Sequence, residues 1–197
     1  GYKKLKKISI MELSKNDQSI IGSNKITLNC DCLGIAGGWT PAVHLFTQSG
    51  GKLKFREEDQ IFIPNKYSSE QISIGSCNGD FELDNIIKNS TNSLKKFLEI
   101  NKTDFDDLPV VTSNEANKKN IWLLPSDKIS GKTKPFVDYQ NDATANDIKL
   151  ALREGFRSIE HVKRYTTTGM GTDQGKLGNM HALGIIADTT GVKMSEV

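Results

Sequence analysis

Cysteine is scarce in this chain and awkwardly placed. Cys30, Cys32 and Cys77 are its three thiols, too few and too unevenly spaced for a disulfide framework. A single residue separates Cys30 from Cys32, so the redox-active CxxC arrangement is missing, and no Cys/His set completes a metal site. This usage points to a reducing, cytoplasmic compartment and to free, buried thiols. A run of about 18 apolar residues is also missing, so no helix spans a membrane, and the first residues lack the apolar core of a signal peptide. Neither charge dominates: 26 basic against 24 acidic residues leave +2, and electrostatics gives no case for nucleic acid as the partner. The basic cluster Lys3, Lys4, Lys6 and Lys7 reads as a solvated strand edge. Histidine is confined to His44, His161 and His181. His44, among Ala42, Val43 and Leu45, reads as a packed core or interface residue. His161 reads as a structural hydrogen-bonding residue beside Glu160, and His181 shows no partner. With no Ser/His/Asp set and no convincing nucleophilic cysteine, no catalytic residue is expected here.

What is present reads as a soluble globular chain. At 197 residues, 36% hydrophobic and 25% charged, it is long enough for one large domain or two small ones. Ile8, Ile10 and Leu13 belong to one short strand and Lys25–Leu28 to another, with a turn over residues 20–24. Asp31 to Ala36 is a nearly continuous apolar run, as in a strand buried on both faces of a parallel sheet. Thr40-Pro41 has the composition of a helix start. Residues 53–55 and 60–63 predict a small hairpin, Ile72–Ile74 a further strand, and a helix from near Asp80 carries Phe81, Leu83, Ile86, Ile87, Leu94 and Leu98 along one side. Residues 99–133 are polar and read as a connection, containing Val110-Val111 and one strand near Ile121–Pro125. From Pro135 a second unit begins. Thr144 to Asp147 forms a capping box with Asp in place of Glu, and Gly155 ends that helix. Ser158 caps a second helix, and a third spans roughly Asn179–Thr189 with Met180, Leu183, Ile186 and Ala187 inward. There are no internal repeats.

Chemistry concentrates in residues 136–181. Two capped helices deliver the pair Lys163-Arg164 into a run of threonine and glycine, an order that suits an anion such as phosphate. The plainer reading is that the two cations neutralise a helix C-terminus while the threonines form a strand. Two further places, Gly37-Gly38 before Thr40 and Gly75 to Gly79 before Phe81, have the strand, glycine turn and helix start of a dinucleotide site. Neither is GxGxxG, and each alone is more often a tight turn. In series they resemble the end of a two-dinucleotide flavoprotein-like domain. IAGGWTP resembles its late strand end, and the second resembles the strand whose Asp usually meets a flavin ribityl chain. Ser76 follows Ile74-Gly75 here, so that Asp is missing and a nicotinamide dinucleotide is the better guess.

The segments DCLGIAGGWTPAVHLFTQSGGKLKF (31–55) and FVDYQNDATANDIKLALREGFRSIEHVKRYTTTGMGTDQGK (136–176) resemble the α subunit of heterotetrameric sarcosine oxidases. The resemblance covers most of 26–191, and the 99–133 connection contributes little. It implies an α/β fold: residues 1–98 as the C-terminal part of an NAD-binding, disulfide-oxidoreductase-like domain, and 134–197 as the flavin-contacting start of an α+β, folate-binding, aminomethyltransferase-like domain. It implies NAD in the first, FMN at the interface with a β subunit, FAD within β, tetrahydrofolate further along α, and γ and δ as additional partners. The implied activity is oxidative demethylation of sarcosine to glycine, with the one-carbon unit passed to tetrahydrofolate and hydrogen peroxide formed. Position by position, Ser76, Phe81 and Leu83, with Gly37 and Gly38 behind them, are the implied NAD contacts. Lys163 and Arg164 would pair with the flavin phosphate, and Thr166, Thr167 and amides near Gly169 would complete its hydrogen bonds. A related amine or amino-acid oxidase or dehydrogenase, or a folate-dependent aminomethyltransferase, is the alternative. Because the chain opens with Gly1 and the resemblance begins late in the α subunit, it is expected to be a piece of a longer protein and inactive by itself. Titration calorimetry on the isolated chain should therefore show no NAD affinity tighter than millimolar; a submillimolar constant would contradict this.

Overall fold

The computed structural model describes residues 4–14, 25–35, 37–99, 120–124 and 134–197. The chain divides into two compact units, residues 37–120 and residues 1–36 with 121–197, and the described residues mix helices with three two-stranded antiparallel sheets.

In the unit of residues 37–120, α1 (His44–Gln48) leads into the hairpin of β3 (Lys52–Arg56) and β4 (Ile61–Lys66), which pairs Phe55 with Phe62 and Arg56 with Ile61. The hairpin forms where the sequence predicts it. Aromatic and β-branched residues suit a half-buried pleat, and the Phe55 and Phe62 rings meet edge-on at 5.0 Å across the strands. Phe46, Ile61 and Ile63 are buried and form this unit's small core, with Tyr67 standing edge-on to Phe46 at 5.0 Å. Arg56 ties the hairpin to the next turn: its guanidinium donates to the Gly79 carbonyl at 2.7 Å and pairs with Asp59 at 2.5 Å. A 3-10 turn, Gly75–Asn78, then precedes α2 (Leu83–Leu98). α2 is amphipathic, as the spacing of its leucines predicts, yet it buries none of its residues.

The expected strands that fail do so for one reason: a strand needs a ladder. The run from Asp31 to Ile35 is irregular and exposed, with Ile35 82% accessible, and it is not a strand buried on both faces. The described strands pair only in antiparallel twos, so this run has no parallel neighbours to bond to. Ile72–Ile74 and Ile121–Leu124 are likewise unpaired and irregular. Thr40 does not cap a helix. The Val43 N–H closes a tight turn on the Pro41 carbonyl at 3.1 Å, which delays the helix to His44. His44 is exposed, contrary to the packed residue expected, and Cys32 is an exposed thiol where burial was predicted. Residues 20–24 and Val110-Val111 lie outside the described residues.

In the other unit, β1 (Lys7–Ile10) pairs antiparallel with β2 (Ile26–Asn29); Lys4, Lys6 and Lys7 at its start are solvated as predicted, and Lys3 lies outside the described residues. The short strands β5 (Phe136–Asp138) and β6 (Ala143–Thr144) form a second hairpin and feed α3 (Ala145–Arg153), α4 (Ile159–Thr166) and α5 (Asn179–Thr190). All three helices obey their sequence signals. Thr144 and Asp147 form both halves of the capping box. Beyond α3, Gly155 N–H reaches the Leu152 carbonyl and Phe156 N–H the Ala151 carbonyl, both at 3.1 Å, the paired bonds of a Schellman ending. Ser158 caps α4 through the His161 N–H at 3.4 Å.

The core of this unit joins Ile148, Ala151 and Leu152 of α3, Val162 of α4, and Ala182, Ile185 and Ile186 of α5. Residues 182–187 of α5 are buried in unbroken succession, so this helix is covered on all sides rather than along one stripe. Its small residues allow that. The Trp122 ring lies against Gly184 where any Cβ would stand, and edge-on to the His181 ring at 5.7 Å. His181 thus has the partner its sequence did not reveal. Replacing Gly184 with Ala should drive the indole off α5, at a cost of about 1–3 kcal/mol for overpacking. Urea unfolding followed by tryptophan fluorescence measures this, and an unchanged midpoint and emission maximum would refute the contact.

Candidate cofactor-binding site

The site is assembled from the turn between β5 and β6 and the loop between α4 and α5. Asp138 ends β5 with only 7% of its surface exposed. One carboxylate oxygen accepts the backbone N–H groups of Gln140 at 2.8 Å and Asn141 at 3.1 Å, forming an Asx-type turn. The other accepts the Asn141 side-chain amide at 3.2 Å and, from 31 residues downstream, the buried Gly169 N–H at 2.7 Å. Burial by itself pushes this carboxyl up. The Gly169 amide, then the Asn141 backbone and side chain and the Gln140 amide, outweigh it and hold the group below the ordinary value of 3.8.

Gln140 adds a second tie. Its side-chain oxygen accepts both the N–H and the hydroxyl of Thr172, each at 2.7 Å. Gly169 and Gly175 have φ of +71° and +77°, and a Cβ on either would collide with the Asn179 side chain at the start of α5. Glycine is therefore required at both positions for backbone sign and for space. The Thr-Gly run is a shaped loop held from the β5–β6 turn at one side and from α5 at the other.

Lys163 and Arg164 occupy the last turn of α4, Lys163 half-buried and Arg164 exposed. There they meet the negative end of the helix dipole, as the plainer reading of the sequence has it. The threonines form no strand. Thr166 ends the helix, its hydroxyl donating to the Val162 carbonyl at 2.8 Å and meeting the buried Thr168 hydroxyl at 2.8 Å. Thr167 is the C-cap with φ +60°, a conformation that a β-branched side chain rarely adopts. Its hydroxyl points back to the Thr166 carbonyl at 2.6 Å. Of the predicted phosphate ligands, then, Lys163, Arg164 and Thr167 share one corner, while Thr166 is bonded inward and the Gly169 amide is already taken by Asp138.

Beside this corner a cavity of about 300 Å³ is lined by Asn141, Asp142, Ala143, Asp147, Leu150, Tyr165 and Thr166. Of its two carboxylates, Asp147 is bound into the α3 capping box and Asp142 pairs with Lys134 at 3.4 Å. An anion at this corner is matched by the outer side, where Arg164 and Lys163 stand.

The predicted NAD residues lie in the other compact unit. Ser76 is exposed in the 3-10 turn, Phe81 is half-buried ahead of α2, and Leu83, its first residue, is 57% exposed. Gly37 and Gly38 lie in an open stretch where a Cβ would meet nothing within 4 Å. Neither glycine pair sits between a strand and a helix start, because the preceding segments are irregular. Asp84 lies in the first turn of α2 and accepts the Asn85 N–H at 2.8 Å, so the positive end of this helix already meets a carboxylate. Among the described residues no group of His, Cys, Asp and Glu could hold a metal ion, and no helix is long and apolar enough to cross a membrane.

Sequence alone missed Asp138, Gln140 and Asn179. The Asp-Tyr-Gln-Asn run carries a turn signal, but no local signal pairs it with Gly169 or Thr172.

Comparison with known proteins bears on the same region. Residues 132–197 match the sarcosine oxidase A3 domain. Over 191 residues the chain is 33% identical to sarcosine oxidase subunit alpha of Rhizobium meliloti (strain 1021), a match that covers 89% of this chain and 18% of that protein. The chain belongs to the sarcosine oxidase α-subunit family. Another family member, from Corynebacterium sp. (strain P-1), is 32% identical over 170 residues, covering 83% of this chain and 17% of its own. The chain therefore spans less than a fifth of the length of the curated α subunits it matches. The crystal structure of L-proline dehydrogenase from P. horikoshii shares the fold, with a TM-score of 0.57 and 20% identity over 95% of this chain and 40% of that one. The relatives' designation as α subunits assigns them to multi-subunit oxidoreductases.

The site's electrostatics set a pH dependence for this member of the sarcosine oxidase α-subunit family. With its folded value depressed, Asp138 contributes stability that is fully present above pH 3.8 and lost as pH falls below it, through the folded value. Thermal melts of the wild type should fall more steeply below about pH 4 than those of Asp138→Asn; parallel curves would show that the carboxylate contributes nothing.

Proposed function

We propose that this chain is a segment of the α subunit of a sarcosine-oxidising complex, contributing to its NAD and FMN sites and to subunit assembly. The complete enzyme would oxidatively demethylate sarcosine to glycine, pass the one-carbon unit to tetrahydrofolate and form hydrogen peroxide. FAD would reside in a β subunit, and tetrahydrofolate would bind further along α. The γ and δ subunits would complete the assembly, located in the cytoplasm. No residue of this chain is assigned a catalytic step. FMN, when bound, supplies the redox chemistry, and the residues here hold and orient it.

The observation that carries this reading is the corner at the end of α4. Arg164 is exposed beside Lys163, and the strained Thr167 cap turns the chain there. Backbone strain of this kind concentrates at ligand sites. Arg164 and Lys163 would pair with the flavin phosphate from outside the acid-lined cavity, with Arg164 offering a two-pronged hydrogen bond. Thr167, by rotating its hydroxyl off the Thr166 carbonyl, would add a third donor, and Thr166 would hold the helix end in place. For NAD, Ser76, Phe81 and Leu83 would line one side, with the carboxylates near α2 receiving ribose hydroxyls and Gly37-Gly38 giving close backbone approach.

A related amine or amino-acid dehydrogenase is the second reading, supported by the shared fold with L-proline dehydrogenase. The A3-domain match over 132–197 favours the sarcosine reading. In the assembled complex, Arg164→Ala should lower FMN content at least severalfold while FAD content and subunit stoichiometry are retained. Undiminished FMN would remove the flavin role from this corner.

A further inference from the structure

Cys30 and Cys32 stand one residue apart, away from both the basic corner and the turn before α2. Neither is in a disulfide, and their settings differ. The Cys30 N–H bonds the Lys6 carbonyl at 3.1 Å, which fastens its backbone just past the end of the β1–β2 ladder, and the residue is half-buried. Cys32 is exposed and lies in the irregular run that no ladder holds among the described residues. The third thiol, Cys77, is half-buried in the other compact unit, with its Sγ–H donating to the Ile74 carbonyl at 2.9 Å.

The spacing puts the pair within bonding reach. Residues two apart in an extended chain point their side chains to the same face, with Cα atoms roughly 6.6 Å apart. That is the long edge of the range, about 4.4–6.8 Å, that a disulfide spans. The backbone bends at Asp31, between the two thiols, and a bend shortens the separation. The Asp31 carboxylate meets Lys4 at 4.0 Å with both side chains exposed, a contact too weak to hold the bend open. One thiol is thus fixed at a ladder end while the other faces solvent beside it. Buried thiols are inert; those that sense oxidants are accessible and have a second cysteine at hand to resolve the first product.

We infer that Cys30 and Cys32 form a reversible redox site, in which a hydroperoxide oxidises Cys32 and Cys30 closes the disulfide. Cys32, as its thiolate, attacks one peroxide oxygen. The O–O bond breaks, the S–O bond of a sulfenic acid forms, and the departing hydroxide takes up the proton the thiol released. The Cys30 sulfur then attacks the Cys32 sulfur: the S–S bond forms, the S–O bond breaks, and the hydroxyl leaves as water with the Cys30 proton. With hydrogen peroxide as oxidant, two thiols give up two electrons and two protons, and one peroxide becomes two water molecules. A bond closing so short a ring, and exposed to solvent, is one that cellular thiols reduce again. Such transient bonds suit a compartment where lasting disulfides are rare. The function proposed above would form hydrogen peroxide, but the pair takes its oxidant from any source and does not depend on the flavin or nicotinamide readings.

The test uses the full α subunit in its assembled complex, as wild type, Cys30→Ser and Cys32→Ser. Each is treated with excess hydrogen peroxide, unfolded, alkylated with or without prior dithiothreitol, and read by mass spectrometry of tryptic peptides. In the wild type the peptide from Ile26 to Lys52, which holds both thiols, should lose two hydrogens and nearly all its alkylation. Dithiothreitol should restore both thiols, and Cys77 should stay alkylated throughout. In Cys30→Ser, Cys32 lacks its resolving partner, so dithiothreitol should recover severalfold less thiol, the rest ending as sulfinic or sulfonic acid. In Cys32→Ser, which changes only an exposed side chain, Cys30 should stay mostly alkylated. A wild-type peptide carrying an oxidised acid at Cys32 beside an alkylated Cys30 would overturn the inference. So would a bridge from either cysteine to a different peptide, or both thiols intact once peroxide has oxidised the exposed Met170. Equal recovery by dithiothreitol in wild type and Cys30→Ser would overturn it as well, since Cys30 would then resolve nothing.

Discussion

Among the described residues no cation meets the buried Asp138 carboxylate, so the protein's own N–H groups have to solvate it, and that requirement organises the C-terminal unit. Four N–H groups converge on Asp138. Three of them can be supplied by the turn itself, because an aspartate followed by two free amides folds back on them readily. The fourth comes from Gly169 and closes a loop of 31 residues. Within that span lie the whole of α3 and α4 and the basic corner. How this carboxylate is satisfied therefore fixes the loop just beyond the corner.

The helical core makes this closure possible. Ile148, Val162, Ile185 and Ile186 are almost completely buried, so α3, α4 and α5 meet in fixed positions and bring residues 138 and 169 within reach of a single hydrogen bond. The polar ties then select one loop conformation among those the core would permit. Hydrophobic burial supplies the stability in this arrangement, while the ties to Asp138, Gln140 and Asn179 supply geometry. The unit of residues 37–120 is built differently. Phe46, Ile61 and Ile63 give it a much smaller core, and α2 lies on it without burying a residue.

Electrostatics divides the site's surface into two sides. Asp142 and Asp147 face the cavity, and Lys163 and Arg164 belong to the end of α4. The Asp142 carboxylate pairs with Lys134 at 3.4 Å, whereas the basic pair stands at the end of the helix. In the other unit the start of α2 carries a carboxylate of its own, Asp84, in the first turn.

Local signals in the sequence determined the helices of the C-terminal unit. The capping box at Thr144, the Schellman ending at Gly155, the Ser158 cap and the extent of α5 all depend on residues within a turn of one another. The β3–β4 hairpin and the amphipathic pattern of α2 were legible in the same way. Parallel pairing was not, because the apolar run at 31–35 reads as a buried strand only if neighbours exist to bond it, and ladder partners are a tertiary fact. The candidate site splits along the same line. Lys163, Arg164, Thr166 and Thr167 were visible as a basic pair running into threonines. That Thr166 bonds inward, that Gly169 serves Asp138 and that His181 meets Trp122 follow from contacts between residues far apart in the chain. Sequence periodicity reports what a segment does to itself. Only the folded core decides which distant amide reaches a buried carboxylate, since that choice is made by the packing of three helices together.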